Sequence, residues 1–592
     1  MRILGISCYF HDASAALIEN GVLLAAAEEE RFTRIKHDFE FPENAIKYCL
    51  DFAGITGPEL DYVVFFEKPF VKFDRLLKTT MSGYPGTYKT FTQSMRTWLF
   101  DKLWIKSLIA KSVGISPKKI LFSEHHLSHA ASAFYCSPFD EAAVMTYDGV
   151  GEWASTTLGY GRGRDLKITH EQHFPHSIGL LYSAFTAFLG FEVNEGEYKV
   201  MGMAAYGSPK YVEDIWKIVK LNADGSYWLD PSYFSFHHST TDSYTKKFEK
   251  LFGEPRKADI PFFTETSGYP SYYGDKPDDW AKLCAYNQRY ADMAASIQVI
   301  TEELIIALAK QLHKVTGSKR LCLAGGVALN SVANERIMRE TPFEELYIQP
   351  SAGDGGGSVG AALYAWHCAL GNDRGQFVMD HAYWGKEYGP TDIKRAVEAA
   401  GFTARHFDDP DKLIDSTVNR LESGKVVGWF QGRFEWGPRA LGNRSILADP
   451  RRDEMKDIVN TKIKFREPFR PFAPSVLVEE ADKFFQIERP AESMTARFML
   501  QVFPVKDGID TVVPATSHMG TARVQTVHKE TNPRFHQLIG KFAEASGVPV
   551  LLNTSFNIRG EPVVNTPENA INTFVNSGID SLVMGDFIVD KL

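Results

Sequence analysis

Three short runs, far apart in the chain, each carry groups that bind metal: His125-His126-Leu127-Ser128-His129, Tyr147-Asp148-Gly149 and Gly353-Asp354-Gly355-Gly356-Gly357. Any fold that makes sense of them has to bring them together. Histidines four residues apart lie on one face of a helix, about 6 Å apart along its axis, close enough to grip one ion. Each Asp is followed by a glycine, which lets backbone approach a ligand closely. Two imidazoles and two carboxylates form a mixed nitrogen and oxygen set. Such a set suits a borderline divalent metal such as iron, manganese or zinc better than calcium. A metal beside glycine-rich turns suits a site that handles phosphate. His126 is expected to point away from the pair, as a hydrogen-bonded packing residue.

The pattern around these runs predicts an α/β fold. Arg2 to Ser7, Ala15 to Ile18 and Leu23 to Ala27 read as strands, with a turn at Asn20-Gly21. Paired strands with a polar His11-Asp12 turn between them resemble the start of an actin-like ATPase fold. Asp61 to Phe66 and Ala142 to Tyr147 read as buried strands, and Met293 to Val315 as a long amphipathic helix. Leu321 to Leu323 is a strand running into Gly325-Gly326, and Glu345 to Ile348 is a strand running into the Asp354 loop. Strands alternating with helices, with polar residues at strand ends, are the α/β signature. The aromatic, weakly periodic stretch 208–280 reads as an insertion. A boundary falls near 371–390, and a second α/β unit follows it, with early and late strands at Val426 to Phe430 and Val548 to Leu552. No internal repeat is evident.

At 592 residues the chain exceeds one ordinary core, so at least two domains are expected. The formal net charge of −9 argues against bulk attraction to nucleic acid. Six scattered cysteines without a CxxC pair read as buried thiols in a reducing compartment. No signal peptide and no membrane-length apolar run is found, so a cytoplasmic enzyme is expected.

The second unit has its own chemistry. Between Arg433 and Arg470 there are ten Lys or Arg against six Asp or Glu. In Gly437-Pro438-Arg439-Ala440-Leu441-Gly442-Asn443-Arg444 and Arg466-Glu467-Pro468-Phe469-Arg470-Pro471, prolines and turn formers fix the cations. Fixed guanidinium forks bind phosphate or carboxylate oxygens in pairs. Later, Asn553-Thr554-Ser555 sets small polar side chains just after a strand. Together these suggest a pocket for a small phosphorylated metabolite and a nucleotide.

The strings HDASAAL, AAAEEERFTRIKHD, HHLSHAASAF, YDGVGEW, SIGLLYSAFT, GEYKVMGMAAYG, GGVALN, GDGGGSVGAA, GPRALGNRSI, REPFRPFAP and LNTSFN occur in this order. In order and spacing the chain resembles, end to end, the O-carbamoyltransferases of antibiotic, nodulation and saxitoxin-type biosynthesis. There, a threonylcarbamoyl-transferase-like domain of actin-like ATPase fold is joined to a smaller α/β domain like the threonylcarbamoyl-adenylate synthases. The resemblance implies domains at 1–372 (with 208–280 inserted) and 385–592. It implies that the smaller domain makes carbamoyl-adenylate from carbamoyl phosphate and ATP, and that the larger transfers the carbamoyl group to a hydroxyl of a small secondary metabolite.

By the same resemblance, His125, His129, Asp148 and Asp354 would hold a divalent metal, Fe2+ first, with Mg2+ allowed alongside ATP. Lys199, Gly202, Gly325, Gly326, Asn330, Asp354 and Gly355 would line the nucleotide of the larger domain, the Gly202–Gly207 run as a turn at its edge. Arg439, Arg444, Lys464, Arg470, Asn553 and Ser555 would hold carbamoyl phosphate and the first ATP. His11 or Asp12 is the expected general base. Neither a nucleic acid nor a membrane is an expected partner, and a homodimer is left open. Three rivals remain: a tRNA threonylcarbamoyladenosine-type factor, which shares both folds, a non-catalytic nucleotide-binding sensor, and an actin-fold sugar kinase, which would leave the second unit unexplained.

Overall fold

The computed structural model describes residues 1–591 except 85, 86, 89, 90, 93, 94, 96, 97, 99–101, 240, 259, 270–273 and 468. Its residues group into two compact units: Met1–Leu24 with Phe39–Val378, and Ala25–Asp38 with Met379–Leu592. The segment 25–38, early in the chain, thus belongs with the later unit.

The first unit is built on two five-stranded sheets. One contains β1 (Arg2–Ser7), β2 (Ser14–Glu19), β3 (Val22–Glu28), β4 (Tyr62–Phe65) and β5 (Ile120–Phe122), in the order β3-β2-β1-β4-β5, and the last four residues of β3 fall in the segment grouped with the second unit. The other contains β6 (Glu141–Tyr147), β7 (Ala154–Arg162), β8 (Asp165–His173), β11 (Arg320–Ala324) and β12 (Glu345–Ile348). Between them in sequence, β9 (Val219–Leu221) and β10 (Tyr227–Leu229) form a separate hairpin. The second sheet runs β8-β7-β6-β11-β12, which is the same 3-2-1-4-5 order as the first. In both, the central strand pairs antiparallel with the second strand and parallel with the fourth. This doubled arrangement is the actin-like ATPase fold. It is a repeat of topology without a repeat of sequence, which is why no internal repeat can be read from the residues.

Two close approaches position the elements that carry the predicted ligands, one between two helices and one between two strand ends. The His125–Phe134 helix packs on the Gly357–Tyr364 helix, and a Cβ on Gly360 would stand 1.8 Å from the carbonyl oxygen of Ser128. At the end of β11, Gly325 has φ +96, and a Cβ there would meet the Tyr147 carbonyl oxygen at 2.2 Å. Only glycine allows either contact. The long helix runs Trp280–Thr316, so it begins inside the stretch read as an insertion.

The second unit is one mixed eight-stranded sheet. Its strands are β13 (Arg405–His406), β14 (Val427–Phe430), β15 (Arg444–Ala448), β16 (Ala473–Leu477), β19 (Gln525–Val527), β20 (Val550–Ser555), β21 (Ser581–Met584) and β22 (Phe587–Asp590). The order is β13-β22-β21-β14-β15-β20-β16-β19, and a small hairpin of β17 (Phe503–Pro504) and β18 (Thr521–Ala522) lies outside it. Successive residues point to opposite faces, as the pleat requires. Phe430, Ile446, Leu552 and Leu582 therefore enter one core, and Trp429, Leu447, Leu551 and Val583 the other. All six cysteines are free thiols. Among the described residues no helix is long and apolar enough to cross a membrane.

Candidate metal centre and anion pocket

In the first unit, Asp148 follows β6 and Gly325 follows β11, at the carboxyl ends of neighbouring parallel strands. Open α/β sheets bind their ligands at such ends. Asp354 opens the short turn Asp354–Gly356 after β12. The His125–Phe134 helix receives no capping side chain from Glu124. Its first N–H instead donates to Glu152, whose two carboxylate oxygens lie 3.0 and 3.1 Å from His125 N. Glu152 also accepts the Lys68 N–H at 2.8 Å, just before the Pro69–Ser82 helix. A carboxylate at a helix N-terminus is favoured by the helix dipole. Four residues beyond Asp148, it ties that loop to the helix carrying both histidines.

The four predicted ligands come together. Nε2 of His125 and Nε2 of His129 are 3.1 Å apart, and each lies 3.2 Å from Oδ2 of Asp148. Asp354 Oδ1 is 3.6 Å from the first nitrogen and 3.3 Å from the second. All four ligand atoms fall within 4.8 Å of one another. Burial opposes a charge on His129, but hydrogen bonds to Asp148 and Asp354 outweigh it and raise its pKa to about 9. Burial likewise opposes charge on Asp148, yet the two histidines hold it well below the usual carboxylate range. Asp354 is raised, by burial and then by the nearby Asp148.

The residues fit a divalent ion. Oδ2 of Asp354 is buried without a hydrogen-bond partner among the described residues. Two imidazole nitrogens at 3.1 Å cannot both present lone pairs without repulsion, and a cation between them removes the conflict. His126 is engaged elsewhere, with Nδ1 at 2.7 Å from Thr146 Oγ1 and Nε2 at 2.9 Å from the Ala154 carbonyl.

His11 and Asp12 occupy the β1–β2 turn, His11 Nδ1 lying 2.6 Å from Asp12 Oδ2. Burial lowers the pKa of His11, but Asp12, with lesser help from Asp354 and Asp148, brings it up to about 9. An imidazole protonated at neutral pH is a poor base by itself, so the carboxylate is the basic member of the pair. Gly326 N–H reaches Asp148 Oδ1 at 3.3 Å, and Gly355 carbonyl accepts from Ser14 and Ser358. Asn330 caps the Ser331–Glu340 helix and exchanges hydrogen bonds with Gln298. Lys199 and Gly202 lie on the Glu197–Ala204 helix, with Lys199 Nζ 5.7 Å from the Phe191 ring. The run from Gly202, expected as a turn, is therefore helical for its first three residues.

In the second unit, Lys464 is buried with Nζ against Ser555 carbonyl at 2.5 Å, Ser555 Oγ at 3.1 Å and Asn557 Oδ1 at 2.6 Å. Burial, and then the neighbouring Arg466, Arg470 and Lys36, push its pKa well below the ordinary lysine value. Arg439, Arg466 and Arg470 also crowd Arg523, which burial already drives down. Nε of Arg523 is buried and without a partner among the described residues. Cations set near enough to repel one another make this cluster a candidate site for an anion.

Arg444, predicted as a ligand residue, has its guanidinium engaged by the protein itself. It is fully buried, donates to the carbonyls of Gln431, Gly432 and Asn443, and lies 3.6 Å over the Phe430 ring. Asn553 is mostly framework too, donating to Ala440, Ser475 and Gln525. Pro468 of the predicted rigid run lies outside the described residues. Two residues escaped sequence reasoning, Arg523 and Glu152. Their signals were an arginine set in the apolar run Ala522-Arg523-Val524, and an acid closing the Asp148-Gly149-Val150-Gly151 loop.

Fold and site together give a two-unit α/β protein with two histidines and two aspartates clustered in one unit and a group of neighbouring cations in the other. The Carbamoyltransferase N-terminus family model matches residues 2–363 and the Carbamoyltransferase C-terminus model residues 418–591. The chain belongs to the carbamoyltransferase family. It is 45% identical to an uncharacterised protein of Synechocystis sp., over 100% of this chain and 97% of that one. It is 35% identical to nodulation protein NolNO of Sinorhizobium fredii, over 98% of this chain and 79% of the relative. With the 3'-hydroxymethylcephem-O-carbamoyltransferase of Amycolatopsis lactamdurans it shares 32% identity over 97% of each chain.

Proposed function

We propose that this carbamoyltransferase is an ATP-dependent O-carbamoyltransferase that passes its carbamoyl group through carbamoyl-adenylate to a hydroxyl of a small secondary metabolite. The observation that supports this reading is that one chain brings four potential metal ligands together in one unit and sets several cations near one another in the other. We assign adenylate formation to 385–592 and transfer to 1–372, and we infer a cytoplasmic enzyme.

In the second unit, Lys464, Arg439, Arg470, Arg523 and Ser555 bind and orient phosphate oxygens. Carbamoyl phosphate, ATP and one water give carbamoyl-adenylate, phosphate and pyrophosphate. The cations take up the charge that develops on the departing phosphates. A carbamoyl group is a poor electrophile because its nitrogen donates into the carbonyl, and attachment to AMP supplies a better leaving group.

In the first unit, the acceptor oxygen attacks the carbamoyl carbon, its bond to the adenylate oxygen breaks, and AMP departs with the electron pair. Asp12, oriented by His11, takes the hydroxyl proton. His125, His129, Asp148 and Asp354 would hold a divalent ion, Fe2+ in our reading, whose positive charge would stabilise the departing phosphate. Gly325, Gly326, Asn330 and Gly355 line the nucleotide, with Lys199 and Gly202 at its edge. The named hydroxymethyl acceptor of the Amycolatopsis relative supports a hydroxyl on a small molecule as the target.

The test supplies the purified chain with ATP and either labelled carbamoyl phosphate or labelled bicarbonate plus threonine. Label in an adenylate with carbamoyl phosphate, and none with bicarbonate and threonine, is the expected result. The reverse pattern identifies a threonylcarbamoyl factor, and nucleotide binding without pyrophosphate release in either arm identifies a sensor.

A further inference from the structure

We propose that Glu28 and Arg31 are positioning residues that fix the Arg439 loop and thereby set how tightly the second unit binds its anionic substrate. The inference rests on the assignment of Arg439 to the anion pocket. Both residues belong to the segment 25–38, which groups with the second unit although some 400 residues separate it in sequence from that loop.

Gly437 is held by both of its backbone groups. Its N–H donates to Glu28 Oε1 at 2.6 Å, and its carbonyl accepts from Arg31 Nη2 at 2.6 Å. Glu28 and Arg31 are 5% and 2% exposed, and Glu28 Oε2 faces Arg31 Nε at 3.6 Å. Gly437 has φ +95, a conformation open to glycine and strained for other residues. Pro438 follows with its φ fixed by the ring, and Arg439 comes next. The orientation imposed at Gly437 is thus passed to Arg439 through a single stiff residue.

The rest of the loop is braced from within. Glu435 accepts the N–H groups of Leu441 and Asn443, each at 2.8 Å, and of Arg444 at 3.1 Å. The segment itself is anchored by Arg34, which donates to the carbonyls of Val563 and Pro562 at 2.6 and 2.7 Å. Lys36 of the same segment is among the charges acting on Lys464. Burying an acid and a base costs more than closing a loop with neutral groups. The outlay is explained if the loop must hold one orientation against the repulsion among Arg439, Arg466, Arg470 and Arg523. The span 418–591 contains neither Glu28 nor Arg31.

The experiment measures inorganic phosphate binding by calorimetry at pH 8 on the full chain, using wild type, Glu28→Gln, Glu28→Ala, Arg439→Met and the double variant Glu28→Ala/Arg439→Met. Glu28→Ala is expected to weaken phosphate binding about tenfold. Glu28→Gln, which keeps the acceptor for Gly437 and loses the charge facing Arg31, falls between it and wild type. The double variant binds no more weakly than Arg439→Met alone, because the two act through one group. Wild-type affinity in Glu28→Ala, or additive losses in the double variant, overturns the inference. Should the wild type bind phosphate yet fail to turn over carbamoyl phosphate, the proposed function falls while the positioning role stands.

Discussion

Nε2 of His125 and Nε2 of His129 stand 3.1 Å apart on one helical face, and the start of that helix is tied to the loop that carries Asp148. Glu152 caps that helix with both carboxylate oxygens, and the Asp148 loop it belongs to supplies the nearest anion. The centre is thus a joint product of a helix, a strand end and a buried acid between them.

Glu152→Ala leaves the buried N–H of His125 and the part-buried N–H of Lys68 without this acceptor. It is expected to cost about 1–3 kcal/mol of stability. Because the carboxylate orients a ligand-bearing helix, metal affinity should also fall about 10–100-fold. Denaturant titration and metal competition with a chelator read the two effects separately. Unchanged metal affinity with lowered stability would mean that the cap serves the fold alone.

Gly360→Ala drives a methyl group into the Ser128 carbonyl, 1.8 Å from where the Cβ must sit. The helix with His125 and His129 then has to part from the one that follows Asp354. A loss of at least about 1–3 kcal/mol is expected, together with reduced metal content per chain by elemental analysis.

Arg523→Met removes one cation from the proposed anion site while keeping an apolar side chain of similar length. The KM for carbamoyl phosphate in pyrophosphate release should rise about tenfold or more, with metal content unchanged. An unaltered KM would assign Arg523 to packing.

Burial raises the Glu28 pKa from 4.5 to about 7. Between these values the folded protein keeps a proton that the unfolded chain gives up. The contribution of this group to stability is full below about pH 4.5 and is lost as pH rises through about 7. Glu28→Gln lacks it, so the stability of the variant relative to wild type should climb across that window. A flat difference between the two unfolding free energies would show that the carboxyl titrates normally.

Much of the histidine–aspartate cluster was legible because its pattern is local. His125 and His129 share a helical face by spacing alone, and Asp148 and Asp354 sit beside the glycines that let backbone close in. Strands such as Arg2–Ser7 and Glu345–Ile348 are apolar runs with clear ends, and they form where the pattern puts them.

What stayed hidden depends on contacts between distant residues. The doubled 3-2-1-4-5 sheet order is a property of pairing that no single run encodes. Arg444 looks like Arg439 in sequence, yet three backbone carbonyls and the Phe430 ring absorb its guanidinium. Arg523 gained significance only from its neighbours Arg439, Arg466 and Arg470. The role of Glu28 and Arg31 needs a glycine some 400 residues away.

The division of labour between the two units is tested most directly by measuring metal content and carbamoyl-phosphate-dependent pyrophosphate release on two folded variants, His129→Ala and Lys464→Ala. The account predicts a double dissociation: His129→Ala loses its metal and still releases pyrophosphate, while Lys464→Ala keeps its metal and releases none. Loss of pyrophosphate release in His129→Ala, or its survival in Lys464→Ala, contradicts the account.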